Sequence, residues 1–578
     1  MIRYSIIGSS PHKHYIDIIV KIETRSQSEI EVQLPAWRPG RYELANYAQN
    51  IQYWQVFDEN EKRLKSHKVS KDKWVIETNG APEVTVCYNY FANQLTAGDS
   101  YFDEKQLYVN PVNCLINMEE RINEPCELTL VNLPEHFQVV CAIPFDADRK
   151  AIAKDFHTLA DSPFMAAAII QHEKYTVGNS NFHIWMLGNV NPDWNRILSD
   201  FEAFTAKQIE MFGEMTVQTY HFLFQLPDFK FYHGVEHLDS TVICLGPAYR
   251  LMHPEVYTEF TGISSHELFH SWNVKSIRPI EMMPYDYSKE NYTVLNYVSE
   301  GVTNYYGDLM LLRSGIYHWD LFAIETAKII EKHLHNYGRF YQTLAEASMD
   351  SWVDGYKPGA PDRKISFYLK GTAVAWALDI NIRRDTNNMH SLDSVMNTLY
   401  HDFAKKGKGY TEKDYLDIIS NFAGKDYTSF FEKYVWGLEA VEIALNDAFE
   451  YIGCLLETSP NKFYYEEKMG LRLLEPELLN KSQICNVAPG SPADAARLSP
   501  NDEIVAVNGI HIEKNLDEML RLFRGTPVQL SFIRNKELLL TSIIEGNDSY
   551  YPIYHIIKNP GVNESQKQNF SLWAHQEF

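Results

Sequence analysis

The 578-residue sequence contains no uninterrupted apolar run of about 18 residues, so no transmembrane helix is predicted. Its first residues offer only a short apolar patch at 4–7, which is not the apolar segment of a secretory leader. The seven cysteines are scattered, odd in number and contain no CxxC pair. We therefore expect no disulfide framework and a reducing, cytoplasmic location.

Positive charge is also scarce. Lys and Arg together number 53 against 76 Asp and Glu, which gives a formal net charge of −23. Proteins that bind nucleic acid or anionic membranes carry a basic footprint, so the sequence predicts neither partner. The excess negative charge either confers solubility or attracts cationic substrates such as free amines, and both interpretations stay open. No pattern indicates an oligomeric state.

The pattern of residues changes along the chain. Short runs that are β-branched or alternate polar with apolar, such as 16–22 and 30–34, continue to about residue 170 and predict an antiparallel β domain. Strand patterns persist to about 255, helical spacing dominates to about 450, and short strands return at 464–545. The predicted domains are 1–172, 173–455 and 460–545, followed by a C-terminal tail at 546–578 without clear periodicity.

One motif carries recognisable chemistry, His266-Glu267-Leu268-Phe269-His270. On a helix, positions i and i+4 lie about 40° apart, so both imidazoles can bind one zinc ion while Glu267 faces its water. Such a match arises by chance in roughly one sequence of twenty with this composition. The alternative is a helix with two surface histidines.

A catalytic zinc also needs a third protein ligand and one open position. Glu300 is the candidate, because it lies in an apolar segment that can form a second helix and point inward. Its alternative role is that of a carboxylate favoured near a helix N-terminus.

The stretches HELFHSWN at 266–273 and VSEGVTNYYGDL at 298–309 resemble the glycyl aminopeptidase family of zinc metallopeptidases, whose pattern is HExxHxWN followed by SEGxTxYYGD. The resemblance implies a gluzincin site with one Zn²⁺ per chain, held by His266, His270 and Glu300. It also implies that Asp308 supports these ligands from behind. The spacing of 29 residues between His270 and Glu300 is longer than in the alanyl aminopeptidase family and fits the glycyl branch.

Upstream, HGVEHLDS at 233–240 resembles the family's GGxEHxxS pattern. The resemblance implies that Glu236 binds the free α-amine of the substrate, because a carboxylate is a suitable receptor for an ammonium group. His233 replaces the first glycine of the pattern, and His237 stands where the alanyl family has Asn. The alternative for Glu236 is a surface position on an edge strand.

Two further segments resemble the aminopeptidases. FYLKG at 367–371 matches their Tyr-x-Lys-Gly segment, which implies that Tyr368 donates a hydrogen bond to the oxyanion; the alternative is a core aromatic. LPAWRPGRY at 34–42 resembles the Trp-x-Pro-Gly-x-Tyr signature of the family's β domain. We interpret it as a rigid turn packed by Trp37.

The C-terminal segments MGLRL at 469–473, PGSPA at 489–493 and NDEIVAVNG at 501–509 resemble a PDZ domain in their order. The resemblance implies that backbone N–H groups of one loop bind the carboxylate of a peptide C-terminus. That loop comprises Gly470, Leu471, Arg472 and Leu473. The alternative is a PDZ fold used for intramolecular packing, with an empty groove.

Together these patterns predict an α+β multidomain protein: an N-terminal antiparallel β domain, a thermolysin-like catalytic domain with a helical part, and a C-terminal PDZ domain. The predicted function is zinc-dependent release of N-terminal residues from peptides with a free N-terminus, with Gly or Ala implied by resemblance. The alternatives are a zinc endopeptidase with the same site and a catalytically silent PDZ scaffold. An intact Glu267 argues against the scaffold, since metal binding alone does not need it.

Overall fold

A computed structural model describes residues 1–475 and 481–578. Its N-terminal part consists mainly of three sheets, in the orders β12-β10-β1-β2-β7-β4, β3-β6-β5 and β11-β13-β9-β8. Every strand pair in them is antiparallel except β1 with β10. The elements are β1 (Ile2–Ser10), β2 (Tyr15–Glu23), β3 (Glu29–Gln33), β4 (Trp54–Asp58), β5 (Ser66–Lys68), β6 (Lys73–Glu77), β7 (Glu83–Phe91), β8 (Tyr101–Phe102), β9 (Gln106–Val109), α1 (Pro111–Cys114), β10 (Cys126–Val131), β11 (Gln138–Cys141), β12 (Lys150–Ala153), α2 (Phe156–Ala160) and β13 (Phe164–Ala167).

The middle of the chain combines one five-stranded sheet with a group of helices. The strand order is β14-β15-β16-β18-β17, so β17 is an edge strand and runs antiparallel to β18. The elements are β14 (Gln171–Val177), β15 (Ser180–Gly188), α3 (Trp194–Phe212), β16 (Thr219–Leu226), β17 (Phe231–Glu236), β18 (Ser240–Gly246), α4 (Pro254–Phe269), α5 (Thr303–Arg313), α6 (Trp319–Leu334), α7 (Leu344–Met349), α8 (Ser351–Asp354), α9 (Phe367–Asp385), α10 (Leu392–Thr398), α11 (Glu412–Ala423), α12 (Thr428–Tyr434) and α13 (Val441–Tyr451).

Glycines allow the central helices to approach closely. A Cβ at Gly307 of α5 would lie 3.1 Å from the Cα of His266 in α4. Gly301, in the π-helical turn that leads into α5, faces Gly371 of α9, and a Cβ at Gly301 would overlap with that backbone. Two sequence segments far apart, around Glu300 and around Tyr368, are thereby packed against each other.

The C-terminal module has its own apolar core and a sheet in the order β20-β21-β22-β24-β25, with β23 paired to β22. The fold therefore confirms the predicted α+β multidomain architecture. The elements are β19 (Cys454–Ser459), β20 (Leu471–Leu474), β21 (Ser482–Val487), α14 (Pro492–Ala495), β22 (Glu503–Val507), β23 (Ile510–His511), α15 (Leu516–Leu522), β24 (Val528–Arg534), β25 (Glu537–Ile543), β26 (Ile553–Lys558) and α16 (Glu564–Ala574).

The segment 546–578 differs from the irregular tail expected of its sequence. Strand β26 pairs with β19, and α16 buries Phe570 and Trp573 against the helices of the middle domain. The helix begins with a capping box formed by Asn563 and Gln566. The C-terminal module thus lies between two paired strands.

Among the described residues, no helix combines the length and the apolar character needed to cross a membrane.

Candidate active site

Helix α4 and the turn before α5 bring three predicted metal ligands together. The Nε2 atoms of His266 and His270 lie 2.9 Å apart, and Glu300 Oε2 lies 3.4 Å from the Nε2 of His270 and 3.9 Å from that of His266. The ligands of a tetrahedral zinc with bonds near 2.1 Å are about 3.4 Å apart. The donor set therefore fits a zinc ion in both chemistry and spacing.

The tautomer of His270 is fixed by the backbone. Its Nδ1 donates to the Asn273 carbonyl oxygen at 2.7 Å, which leaves the Nε2 lone pair for a metal. The Asn273 side chain donates to the Val298 carbonyl oxygen at 2.9 Å and so joins the end of α4 to the turn that carries Glu300. Burial alone would lower the pKa of His270, but the Glu300 carboxylate raises it to about 10. The surroundings of this imidazole ring therefore favour positive charge.

Glu267 points at the edge strand β17. Its Oε1 packs against Gly234, where any Cβ would overlap with the carboxylate, and its Oε2 has no hydrogen-bond partner among the described residues. Burial raises the pKa of Glu267 well above its usual range; His270 opposes this rise and Glu236 adds to it. A buried carboxylate without a partner beside a metal set can accept a proton.

Glu236, at the end of β17, lies beside Glu267 and His270. Carboxylate oxygens of Glu236 and Glu267 and a ring nitrogen of His270 are all within 4.8 Å of one another. The Glu236 side chain is buried, its Oε1 has no hydrogen-bond partner in the described chain, and its carboxylate packs against Gly40. This is not the exposed edge position that the sequence also allowed.

The two histidines that depart from the family pattern form their polar contacts outside the metal set. His233 contacts Arg38 through Nε2 at 3.4 Å, and His237 Nδ1 contacts Asp161 Oδ1 at 3.0 Å. Asp161 also accepts a hydrogen bond from the buried Lys275 at 2.8 Å. The lysine and histidine lower the pKa of Asp161 although burial opposes this.

Tyr368 lies in the first turn of α9 and lines a cavity of about 580 Å³ together with His266 and Glu267. Burial raises the pKa of its phenol well above the usual range, and the nearby Glu300 adds to the effect. The phenol therefore stays protonated and can donate a hydrogen bond beside the metal set.

The resemblance implies that Asp308 supports the metal ligands, and this stays a prediction. Asp308 lies about two helical turns after Glu300 and has no hydrogen bond to His266 or His270 in the part of the chain that is described. Burial lowers the pKa of His266 well below its usual range, and Asn304, one turn after Glu300, opposes this lowering as a polar neighbour of the ring. Asp308 lines the cavity.

The sequence interpretation missed a contact of the N-terminal signature. Tyr42 of the segment 34–42 donates a 2.6 Å hydrogen bond to Glu300 Oε1. The Trp37 ring anchors the same turn, with Nε1 donating to the Asp286 carbonyl oxygen at 2.6 Å. The motif itself was the available signal, but its partner lies in another domain.

In the C-terminal module, Gly470 has a positive φ of 69° and immediately precedes β20. Leu471 is buried in the core of the module, and Leu473 packs partly against that core. Arg472 points to the middle domain, where its guanidinium contacts His335 Nδ1 at 2.6 Å. The same guanidinium lies over the ring of Tyr551, just before β26.

Three family models match the chain. Residues 3–168 match the peptidase M61 N-terminal domain, residues 259–374 match M61 glycyl aminopeptidase, and residues 483–534 match a PDZ domain. A comparison with curated proteins found no match.

Solved structures provide a second comparison. An aminopeptidase N family protein from Idiomarina loihiensis is 24% identical, with a TM-score of 0.91 over 99% of this chain and 100% of that one. That likeness supports the whole-chain fold. An M1 zinc metallopeptidase from Deinococcus radiodurans is 12% identical, with a TM-score of 0.42 over 73% of this chain and 90% of that one.

Proposed function

We propose that the chain, which belongs to the M61 glycyl aminopeptidase family and is a metallo-aminopeptidase of that type, uses zinc. Its proposed reaction is the release of a small N-terminal residue, glycine or alanine, from peptides. The observation that carries the proposal is the position of Glu236. A buried carboxylate within 4.8 Å of both Glu267 and His270 suits an α-ammonium group held beside the reacting bond.

His266, His270 and Glu300 would hold the zinc ion. When bound, the ion would supply Lewis acidity and would lower the pKa of water. The Asn273 carbonyl oxygen holds His270 in the tautomer needed for metal binding. Tyr42 donates a hydrogen bond to one oxygen of Glu300, so the other oxygen remains available to the metal. These contacts support the assignment of the three ligands.

The remaining side chains have complementary roles in the proposal. Glu267 accepts the proton of the attacking water and passes it to the leaving amine. Tyr368 donates a hydrogen bond to the oxygen that becomes negatively charged in the transition state. Glu236 holds the α-ammonium group, so cleavage falls after the first residue. Gly40, which packs directly on Glu236, supports a narrow subsite for a small residue.

The test is hydrolysis of Gly-, Ala-, Leu- and Lys-p-nitroanilides with and without a chelator. We expect chelator-sensitive turnover of the Gly and Ala compounds, and loss of turnover with retained zinc in Glu267→Gln. Turnover that survives this substitution would reject the mechanism.

An endopeptidase is distinguished by N-acetylated peptides, which an enzyme that needs Glu236 and a free amine rejects. Equal cleavage of free and acetylated peptides by the native chain would overturn the role of Glu236. No turnover at all by the zinc-loaded chain would favour the silent scaffold.

For the C-terminal module, the loop Gly470–Leu473 would bind a peptide C-terminus. Gly470 with positive φ and the edge strand β20 support this, because the backbone of such a loop can face a carboxylate. Fluorescence anisotropy tests it by comparing a labelled peptide with a free C-terminal carboxylate and the same peptide with an amide. Equal binding of both would leave the module an intramolecular role.

A further inference from the structure

The cavity beside the metal set extends along only one part of β17. Tyr232, His233 and Gly234 line it, whereas Glu236, two residues further along the strand, does not. Glu267 lines it as well, with an Oε2 that is buried and unpartnered. If the α-amine of the substrate lies at Glu236, the cavity lies on the side of the scissile bond that carries the leaving amine. It therefore receives the second residue of the substrate.

The charges in this cavity do not all cancel. Helix α6 contributes Glu325, whose carboxylate is paired with Lys328 at 2.7 Å, and the exposed Lys332. Helix α4 contributes Glu259. Asp308 from α5 has neither a hydrogen bond nor an ion pair with any described residue.

Asp308 is half-buried in the wall of this cavity. Tyr317 and Ile263, which also line the cavity, are buried. Burial, with a contribution from Glu325, raises the pKa of Asp308 to about 7. A carboxylate in such a place is stabilised by a neighbouring cation.

We propose that Asp308 is a specificity residue that binds a cationic side chain, lysine or arginine, at the second position of the substrate. This inference rests on the proposed function, because the direction of the peptide is set by Glu236. The cavity of about 580 Å³ accommodates a long side chain whose ammonium or guanidinium group reaches the carboxylate.

The experiment compares the peptides Ala-Lys-Phe and Ala-norleucine-Phe, which differ at the second residue mainly in the terminal ammonium. We expect kcat/KM to favour lysine about tenfold in the native chain, as for one desolvated charge pair. In Asp308→Asn the preference falls to about one. Glu255→Gln, which removes a charge from an exposed position of α4 outside the cavity, is the matched control and keeps the preference.

Equal kcat/KM for the two peptides in the native chain would overturn the inference, as would a preference that survives Asp308→Asn. The comparison in the native chain needs no variant, so it decides even if Asp308→Asn fails to fold. Calorimetric Kd values of both peptides for zinc-loaded Glu267→Gln give a readout without turnover. If no peptide is cleaved, the proposed function fails, and the ratio of these Kd values still decides the role of Asp308.

Discussion

Tyr42 donates a 2.6 Å hydrogen bond to Oε1 of Glu300, which lies 258 positions later in the chain. The other oxygen of the same carboxylate lies 3.4 Å from the Nε2 of His270. Edge-on contacts with Trp352 and Phe367 hold the Tyr42 ring in place. The N-terminal β domain therefore orients a residue of the proposed metal site.

We predict that Tyr42→Phe weakens zinc binding by about tenfold or more, because partners of metal ligands typically contribute 10–100-fold to affinity. Competition with a chromogenic zinc chelator measures this directly, and kcat/KM on Ala-p-nitroanilide should fall with it. Tyr53→Phe is the control, since that hydroxyl donates to Asp17 on an exposed surface. Unchanged zinc affinity in Tyr42→Phe would show that Glu300 is oriented without the phenol.

A second prediction concerns the glycine contact between the turn of Glu300 and α9. In Gly301→Ala the new Cβ would overlap with the backbone at Gly371, so the two segments must separate. We expect a loss of about 1–3 kcal/mol in the free energy of unfolding, as in other overpacked cores, together with lower activity. Gly561→Ala, at an exposed glycine whose nearest atom would lie 3.4 Å from the new Cβ, should change neither.

The proposed metal ligands could be predicted because two of them lie close together in the sequence. His266 and His270 are one helical turn apart, and their function requires that spacing. Asn304 carried a similar signal: it lies four residues after Glu300 on a helix and hence on the same face. The family pattern directed attention to Asp308 instead, which is a further turn away.

Other features could not be predicted, because they depend on tertiary contacts. Nothing near Tyr42 in the sequence indicates Glu300 as its partner. Helix α16 was not predicted for a different reason. Its buried residues Phe570, Trp573 and Ala574 follow helical spacing, but one turn of that spacing is too short to distinguish from an irregular aromatic segment.

The raised pKa of Asp308 predicts a pH dependence of stability. Its folded pKa of about 7 exceeds that of an unfolded aspartate, so between about pH 4 and pH 7 the folded chain binds more protons. Stability from this group is present at low pH and is lost as pH rises through 7. Asp308→Asn should therefore raise the unfolding temperature relative to the native chain by about 1–3 °C at pH 8, and by less at pH 4.5. A difference that is equal at both pH values would contradict the prediction.

The last prediction separates the C-terminal module from the helix that follows it. Ser459 of β19 and Ile553 of β26 are paired at the end of their ladder, so a short turn can replace the module between them. Helix α16 would stay, and with it the hydrogen bonds of Trp573 to Tyr305 and of Arg313 to the Trp573 carbonyl oxygen.

We expect a chain with residues 461–551 replaced by a glycine-rich turn to keep most of its chelator-sensitive hydrolysis of Ala-p-nitroanilide. A chain that ends at residue 545 should lose it. Trp573 hydrogen-bonds to Tyr305 of α5, which in turn donates to Asp379 of α9, and its ring packs against that helix. Each lost core aromatic costs about 3–5 kcal/mol. The first variant lacks the module but keeps β26 and α16, whereas the second keeps the module and lacks both. If both lost activity while remaining folded by circular dichroism, the module would contribute to catalysis through contacts such as Arg472 with His335. If both kept it, the last helix would be dispensable for the site.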